Sequence, residues 1–193
     1  RDYKVTGVQT CALPICPALR DCFLCFVSAL CLKDMMREYV RNSEYHPDIE
    51  KLRELLSKVT DEQKLDILQP TKSEEDNTAL YVTAFRDDAE MITTILSSIQ
   101  SLDRLKLLMV KNNLKHTPLQ IAALRGHTES VKAILDTLTA DQQIQLLTAE
   151  DGYGKTAVEM ASGETADILS EYKNRPQEKA NPGEFIPLNS HVM

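Results

Sequence analysis

The chain has 193 residues, of which 42% are hydrophobic, 5% are aromatic and none is tryptophan. This is enough apolar material for one elongated domain with its own core, and the low aromatic content favours stacked aliphatic helices over a β-sandwich. The formal net charge of −7 opposes a nucleic-acid-binding surface, because phosphate binding needs clustered lysine and arginine and no basic stripe is present.

The first fifteen residues look foreign to the rest of the chain. Residues 5–15, VTGVQTCALPI, resemble an in-frame translation of a widely used sequencing-library adapter, and the chain begins with Arg1 rather than methionine. We therefore interpret residues 1–15 as a disordered, adapter-derived segment. The alternative is an authentic disordered N-terminus. On either interpretation we expect the chain to be a fragment of a larger protein.

A helical pattern follows from about residue 17 to residue 41, and residues 16–45 are predicted to form an N-terminal helical cap. The apolar stripe of this helix comprises Phe23, Phe26, Val27, Leu30 and Met35. We expect it to pack against a second helix over residues 48–58, because an exposed stripe of this kind would be sticky. The matching face of that second helix comprises Ile49, Leu52, Leu56 and Val59.

All five cysteines lie between Cys11 and Cys31. The spacing of Cys22 and Cys25 suits a zinc or redox pair, but no second pair or paired histidine accompanies it. Thiols packed in a helical core are the favoured interpretation, and a metal or thiol site is the alternative. We predict no metal and no other cofactor. The apolar run over residues 22–32 is too short to span a bilayer, which takes about 20 residues.

The remainder of the chain repeats with a period of 39 residues, because Thr78, Thr117 and Thr156 open equivalent segments. In the middle copy, Thr117 is a good N-cap and Pro118 suits the first helical position. Gly126 is suited to the left-handed conformation that ends a helix, and apolar residues then restart at helical spacing. Each copy is therefore predicted to be a helical hairpin that needs neighbouring copies to bury its apolar face.

The middle copy, TPLQIAALRGHTESVKAIL, resembles the ankyrin repeat, whose signature combines Thr-Pro-Leu-His, paired alanines and Gly-His before an apolar helix. It departs from the family by carrying Gln120 where histidine is preferred, and by a period of 39 rather than about 33 residues. The extra length follows each second helix. Two of these insertions open with a capping-box pattern, Thr60 with Gln63 and Thr139 with Gln142, so we predict short added helices there.

Together these patterns predict an all-α solenoid: a right-handed stack of about four ankyrin-like helix pairs, with extra short helices in the connections between repeats and almost no strand. We assign the repeat array to residues 46–174. Loops at residues 69–77, 110–116 and 148–155 correspond to the finger-like projections of the family. The shortened last copy has the sparse apolar face of a terminal cap, and the proline-containing residues 175–193 are predicted to be a disordered tail.

No catalytic constellation is evident in the sequence. Three of the four histidines, His46, His116 and His127, fall at repeat turns and no motif places a serine or cysteine with them. The segment from Gly152 to Thr156 ends like a phosphate-binding loop, but the glycine that this motif needs five positions before Gly154 is an alanine. We predict that the chain is not an enzyme.

The resemblance implies an intracellular, non-enzymatic protein-interaction module, a scaffold or adaptor whose partner is another protein, with no nucleic acid and no membrane insertion. In the family, partner contacts commonly come from the fingers and from the two residues between the paired alanines and the turn. These candidate residues are Phe85, Arg86, Leu124 and Arg125, and Tyr153, held outward between two glycines, extends the same edge.

Two alternatives to this interaction surface stay open. In the first, Phe85 and Leu124 simply cover the turn with apolar surface. In the second, the chain is a structural ankyrin segment of a multidomain receptor or channel and has no binding site of its own.

Overall fold

The computed structural model describes residues 17–42, 44, 46–69 and 77–175. Within these ranges it contains eleven α-helices, and the only β-pairing is an isolated antiparallel bridge between Glu150 and Thr156. The predicted all-α class is confirmed. The adapter-like segment and most of the predicted tail lie outside the described residues, as do the side chains of Cys22 and Cys25.

The helices form three rows that run along the stack. In chain order they are α1 (Pro17–Arg41), α2 (Ile49–Lys58), α3 (Asp61–Leu68), α4 (Ala79–Arg86), α5 (Ala89–Ser97), α6 (Ser101–Leu108), α7 (Pro118–Arg125), α8 (Thr128–Asp136), α9 (Ala140–Leu147), α10 (Ala157–Met160) and α11 (Glu164–Asn174). The first helices, α1, α4, α7 and α10, contact one another in that order, and so do the second helices, α2, α5, α8 and α11. The inserted helices α3, α6 and α9 make the third row. This is the predicted ankyrin-like solenoid with an added helix in each connection.

Local capping signals define where the helices begin and end. Thr117 accepts a hydrogen bond from the backbone N–H of Gln120, whose side chain accepts one from the backbone N–H of Thr117, and Pro118 occupies the first turn of α7. Gly126 ends this helix with a φ of 75°, in the left-handed region that glycine tolerates best. Both capping boxes predicted for the inserted helices are present, at Thr60 of α3 and at Thr139 of α9.

The core runs through the interior of the stack. Leu119, Ile134 and Leu135 are fully buried, and so are Ala122 and Ala123. The two alanines lie on α7, which packs between α4 and α10. A small side chain lets neighbouring helices approach closely, so the predicted roles of these five residues are confirmed.

The N-terminal cap departs from the prediction at Leu30, which is 48% exposed rather than part of the packed stripe. Met35 of the predicted stripe is buried, and so are Leu32, Met36 and Tyr39, which the predicted stripe did not include. The cause is that α1 packs against α2, α3 and α4 together, so three neighbours set its buried face rather than α2 alone. The predicted packing of α1 on α2 is confirmed.

We expect Leu135→Ala to lower the free energy of unfolding by about 2–5 kcal/mol, because it removes a fully buried side chain from a packed core and leaves a cavity. Urea unfolding followed by circular dichroism measures the change. Leu102→Ala is the matched control, since Leu102 of α6 is 77% exposed and should change stability by less than about 0.5 kcal/mol. An equal small effect of both substitutions would contradict the assigned core.

Candidate functional site

A row of large side chains lies where the first helices end. The guanidinium carbon of Arg86 is 4.4 Å from the ring centre of Tyr39, and that of Arg125 is 3.9 Å from the ring centre of Phe85. Both distances are those of cation–π contacts. We call Tyr39, Phe85, Arg86, Leu124 and Arg125 the helix-end row. It joins α1, α4 and α7 across consecutive repeats, and it contains four of the five predicted binding residues.

The two arginines of the row have different surroundings. Arg86 is half-buried, and its Nη2 donates a hydrogen bond of 3.0 Å to the carbonyl of Asn42, just after α1. Beneath it, burial raises the pKa of Tyr39 above its usual range, and Asp88, which accepts a hydrogen bond from the hydroxyl, raises it further. Arg86 therefore helps to fasten α1 to α4, in addition to lying at the surface.

Arg125 is exposed, and the described residues offer its guanidinium no hydrogen-bond or ion-pair partner besides the Phe85 ring. Phe85 remains 41% exposed beneath it, and the neighbouring Leu124 is 50% exposed. Both side chains are therefore half covered and half accessible to solvent at the edge of the stack.

Polar contacts between adjacent turns hold this row in place. The Nδ1 atom of His127 lies 2.9 Å from the carbonyl oxygen of Ala84 in the preceding repeat. Asp87 ends α4 in the left-handed region, with a φ of 60°, which is uncommon for a residue other than glycine. Its Oδ1 accepts hydrogen bonds from the Ser130 hydroxyl at 2.8 Å and the Ser130 backbone N–H at 3.3 Å. The turn of one repeat is thereby tied to the turn of the next.

At the other end of α7, two finger loops lie side by side, over residues 110–116 and 148–155. Gln120 is fully buried, and its Nε2 donates hydrogen bonds to the carbonyls of Ala149 at 3.0 Å and Lys155 at 3.1 Å. The residue at which the sequence departs from the ankyrin signature therefore anchors the finger of the following repeat. The sequence analysis did not predict this anchoring role for Gln120.

The second finger is built around Asp151. Its Oδ1 accepts hydrogen bonds from the backbone N–H groups of Tyr153 at 2.8 Å and Lys155 at 2.9 Å. These bonds, with that from Lys155 contributing most, hold the pKa of the carboxyl below its usual range, and His116 at 3.7 Å adds to the effect. The turn points Tyr153 into solvent with 85% of its surface exposed, as predicted.

Tyr153 does not join the other four candidate residues. It lies on a finger at the N-terminal end of α7, whereas Arg125 lies at the C-terminal end, and an eight-residue helix spans about 12 Å. Its neighbour in position is Leu114 of the first finger, which is 64% exposed and lies one repeat period of 39 residues before it. That shift could have identified Leu114 from the sequence.

Tyr39 is the other residue that the sequence analysis missed. It belongs to α1, which has no place in the 39-residue register, so no alignment of the copies brings it beside Arg86. Within the part of the chain that the structure describes, no cluster of three or more His, Cys, Asp and Glu side chains could hold a metal ion. In that same part, no helix is long and apolar enough to cross a membrane.

Comparison with known proteins agrees with this architecture. Residues 115–145 match the family model described as the ankyrin repeat. This segment of the chain is therefore similar to the ankyrin repeat. The matched repeat comprises α7, α8 and most of α9. No curated protein matches the chain. Among solved structures, the crystal structure of the yeast ribosomal protein Rps3 in complex with its chaperone Yar1 includes a similar chain. The TM-score is 0.49 with 16% sequence identity, covering 82% of this chain and 93% of that one.

We expect Gln120→Ala to reduce the free energy of unfolding by about 2–4 kcal/mol, because the buried Thr117 amide and Ala149 carbonyl lose their partner and each unsatisfied group costs about 1–3 kcal/mol. Urea unfolding gives the value, and amide hydrogen exchange should show the loss concentrated in residues 148–156. Gln145→Ala, at an exposed position of α9, is the control. Unchanged exchange in the finger would contradict the anchoring role.

We expect the stability difference between the wild type and Asp151→Asn to depend on pH. Because the folded-state pKa of Asp151 is lowered, its stabilising contribution is complete above the unfolded value of about 3.9 and disappears as the pH falls through the lower folded value. Unfolding curves recorded between pH 2 and 6 should therefore converge toward the acid end. Parallel curves over that range would show that the carboxylate does not brace the finger.

Proposed function

We propose that the chain is a non-enzymatic protein-interaction module, a scaffold or adaptor, and that the helix-end row and the fingers form its binding surface. The observation that carries this proposal is the stacking of Arg125 on Phe85 with both side chains accessible to solvent. Arginine and aromatic residues are the types enriched at interface hot spots. The fold family supports an intracellular partner that is itself a protein.

The exposed members of the row, Phe85, Leu124 and Arg125, are available for binding because they are not fully buried in the core. Leu119, Ala122 and Ala123 of α7 are buried and fill the stack, whereas Leu124 and Arg125, the last two residues of the same helix, are exposed. Repeat stacks offer extended surfaces of this kind, on which side chains are free of packing constraints. A free, well-positioned arginine beside two exposed apolar side chains is a better fit to an interface than to solvent.

The row is also rigid before any partner arrives. The contacts from His127 to Ala84 and from Ser130 to Asp87 fix one turn against the next, and the Phe85 ring supports the Arg125 side chain from below. Association is costly when side chains have to be ordered on binding, at about 0.5–1.5 kcal/mol for each one immobilised. Pre-ordering reduces that cost and supports a binding role.

The polar groups of the helix-end row and the fingers do not suggest catalysis. The described histidines of the repeats are engaged in turn contacts, His127 with the Ala84 carbonyl and His116 with Asp151. The exposed side chains there are aromatic or aliphatic and offer neither a nucleophile nor a base: Tyr153, Leu114 and Leu124. These surroundings support binding without chemistry.

The test is a selection from a phage-displayed random dodecapeptide library on the immobilised chain, followed by fluorescence polarisation with the selected peptides. Arg125→Ala and Tyr153→Ala should each weaken binding by about 1–2 kcal/mol, roughly fivefold to thirtyfold, while their melting temperatures stay unchanged. Leu102→Ala is the control, because it removes an equally exposed side chain from the row of inserted helices.

Two results would count against the proposal. If the selected peptides bind both variants normally and lose affinity to Leu102→Ala, the binding surface lies on the inserted helices. If no peptide is selected at all, the chain is better explained as a structural ankyrin segment with no binding site of its own.

A further inference from the structure

Among the described residues, salt bridges between basic and acidic side chains are absent from α7 and, apart from one His–Asp pair, from the two fingers. Eight basic side chains elsewhere have carboxylate partners, in the pairs Lys33–Asp66, Arg37–Asp34, Arg53–Glu50, Lys58–Glu54, Lys64–Asp61, Lys106–Asp103, Lys132–Glu129 and Arg175–Glu171. The exposed Arg41, Lys51 and Lys173 form no salt bridge with a described residue. None of the eight pairs involves α7 or either finger. The only ion pair there joins His116 to Asp151.

The basic residues of α7 and the fingers are therefore unneutralised. Arg125, Lys115 and Lys155 are exposed, and no described carboxylate lies within salt-bridge distance of any of them. Lys111 bonds only to a backbone carbonyl, that of Glu150 at 2.6 Å. In a chain with a net charge of −7, four basic residues without a carboxylate partner are concentrated on α7 and the two fingers. The other exposed ones, Arg41, Lys51 and Lys173, lie singly on α1, α2 and α11.

The acids of this region are largely occupied within their own loops. The side chain of Asp151 is only 2% exposed and accepts two backbone N–H groups of its finger. Glu159 accepts hydrogen bonds from the backbone N–H and the hydroxyl of Thr156. The carboxylates thus organise the second finger and the start of α10, and the cations beside them face outward without a partner.

We propose that the surface carrying Arg125, Lys115 and Lys155 takes an acidic segment of the partner protein. This inference rests on the proposed function and names the chemistry of the partner. A guanidinium presents five N–H donors in one plane and binds a carboxylate in a bidentate manner, which a lysine does not reproduce. Stacking on Phe85 leaves that plane oriented in advance.

The arrangement also sets the spacing of the acidic residues. Arg125 ends α7, and Lys115 lies three positions before its first residue, so the two cations lie at opposite ends of an eight-residue helix of about 12 Å. An extended chain covers that distance in about four residues at 3.3–3.6 Å each. Exposed Leu124 at one end and Leu114 and Tyr153 at the other would accept apolar side chains next to the carboxylates.

A nucleic acid fits this surface less well. Phosphate backbones are bound by many clustered cations that displace counterions, whereas this surface offers three unpaired cations and also carries the exposed Glu150. The chain as a whole would repel a polyanion of high charge density. A short acidic peptide carries fewer charges and also has side chains for the exposed apolar residues.

The experiment starts from the peptides selected on the wild-type chain. We expect them to contain two or more Asp or Glu residues about four positions apart, next to an apolar residue. One such peptide, and its copy with Asn and Gln in place of Asp and Glu, are titrated by fluorescence polarisation at 50 and 200 mM salt. The neutral copy should bind at least tenfold more weakly at 50 mM salt.

Charge-neutralising variants locate the site. Arg125→Gln should weaken binding of the acidic peptide about tenfold, and so should Arg125→Lys, because lysine keeps the charge but not the planar fork. The double variant Lys115→Gln, Lys155→Gln should weaken it about fivefold and reduce the salt dependence. Lys51→Gln is the matched control, since it removes one exposed charge on α2 and should leave the affinity unchanged.

The outcomes separate this inference from the proposed function. Neutral or basic selected peptides that still need Arg125 would overturn the acidic partner and leave the interaction module standing. An equal loss with Lys51→Gln would overturn it as well, because the attraction would then be general and not local. Tighter binding of a twelve-nucleotide oligouridylate than of the acidic peptide would favour a nucleic acid instead. Selection of no peptide would count against both proposals.

Discussion

Close packing of the first helices is the constraint on which the rest of the molecule depends. Ala84, Ala122 and Ala123 have no exposed surface, and helices that meet through small side chains approach to the short end of the usual 8–10 Å. Arg125, at the end of α7, lies 3.9 Å from the ring centre of Phe85, at the end of the neighbouring α4. The buried alanines two and three positions earlier in α7 are compatible with that close contact.

The inserted helices also connect consecutive repeats, through hydrogen bonds to the ends of the second helices. Lys64 of α3 is buried and donates through Nζ to the carbonyl of Ser98, at the end of α5 in the next repeat. Arg104 of α6 donates in the same way to the carbonyl of Thr137, which lies 39 residues after Ser98 and ends α8. The C-terminal carbonyls of a helix need partners, and the first two insertions, α3 and α6, each supply a cation to a carbonyl of the following repeat. The long period is thus integral to the stacking rather than a loop that could be deleted freely.

Features that depend on neighbouring residues or on periodicity could be predicted from the sequence, whereas most contacts between separate helices could not. The start of α7 follows from Thr117 and Pro118, and its end follows from Gly126. Each of these signals depends only on residues in the adjoining helical turn, as do the capping boxes of α3 and α9. The buried positions of α7 and α8 follow from periodicity. Leu30 was misassigned because the buried face of α1 is set by three helices, and only one of them, α2, was predicted as its partner.

The candidate site was predictable only in part for the same reason. Phe85, Leu124 and their arginines could be named because the repeat register marks them as free of the core. That Arg125 lies on Phe85 of the preceding repeat, while Arg86 lies on Tyr39, depends on distances between repeats that no single copy encodes. The anchoring role of Gln120 was hidden because its acceptors, the carbonyls of Ala149 and Lys155, are backbone atoms, which leave no mark in the sequence.

These features connect the two ends of the proposed surface. Gln120 belongs to α7 and holds the finger that carries Lys155, Lys115 and His116 immediately precede that helix, and Arg125 is its last residue. Arg125 is thus fixed to one short, well-capped helix, and backbone hydrogen bonds hold Lys155 to Gln120 of that helix and to Asp151. Charges on a rigid frame favour a partner whose carboxylates have a particular spacing, whereas mobile charges respond mainly to net charge. The packing that stabilises the repeat therefore also gives the surface the means to discriminate among acidic segments.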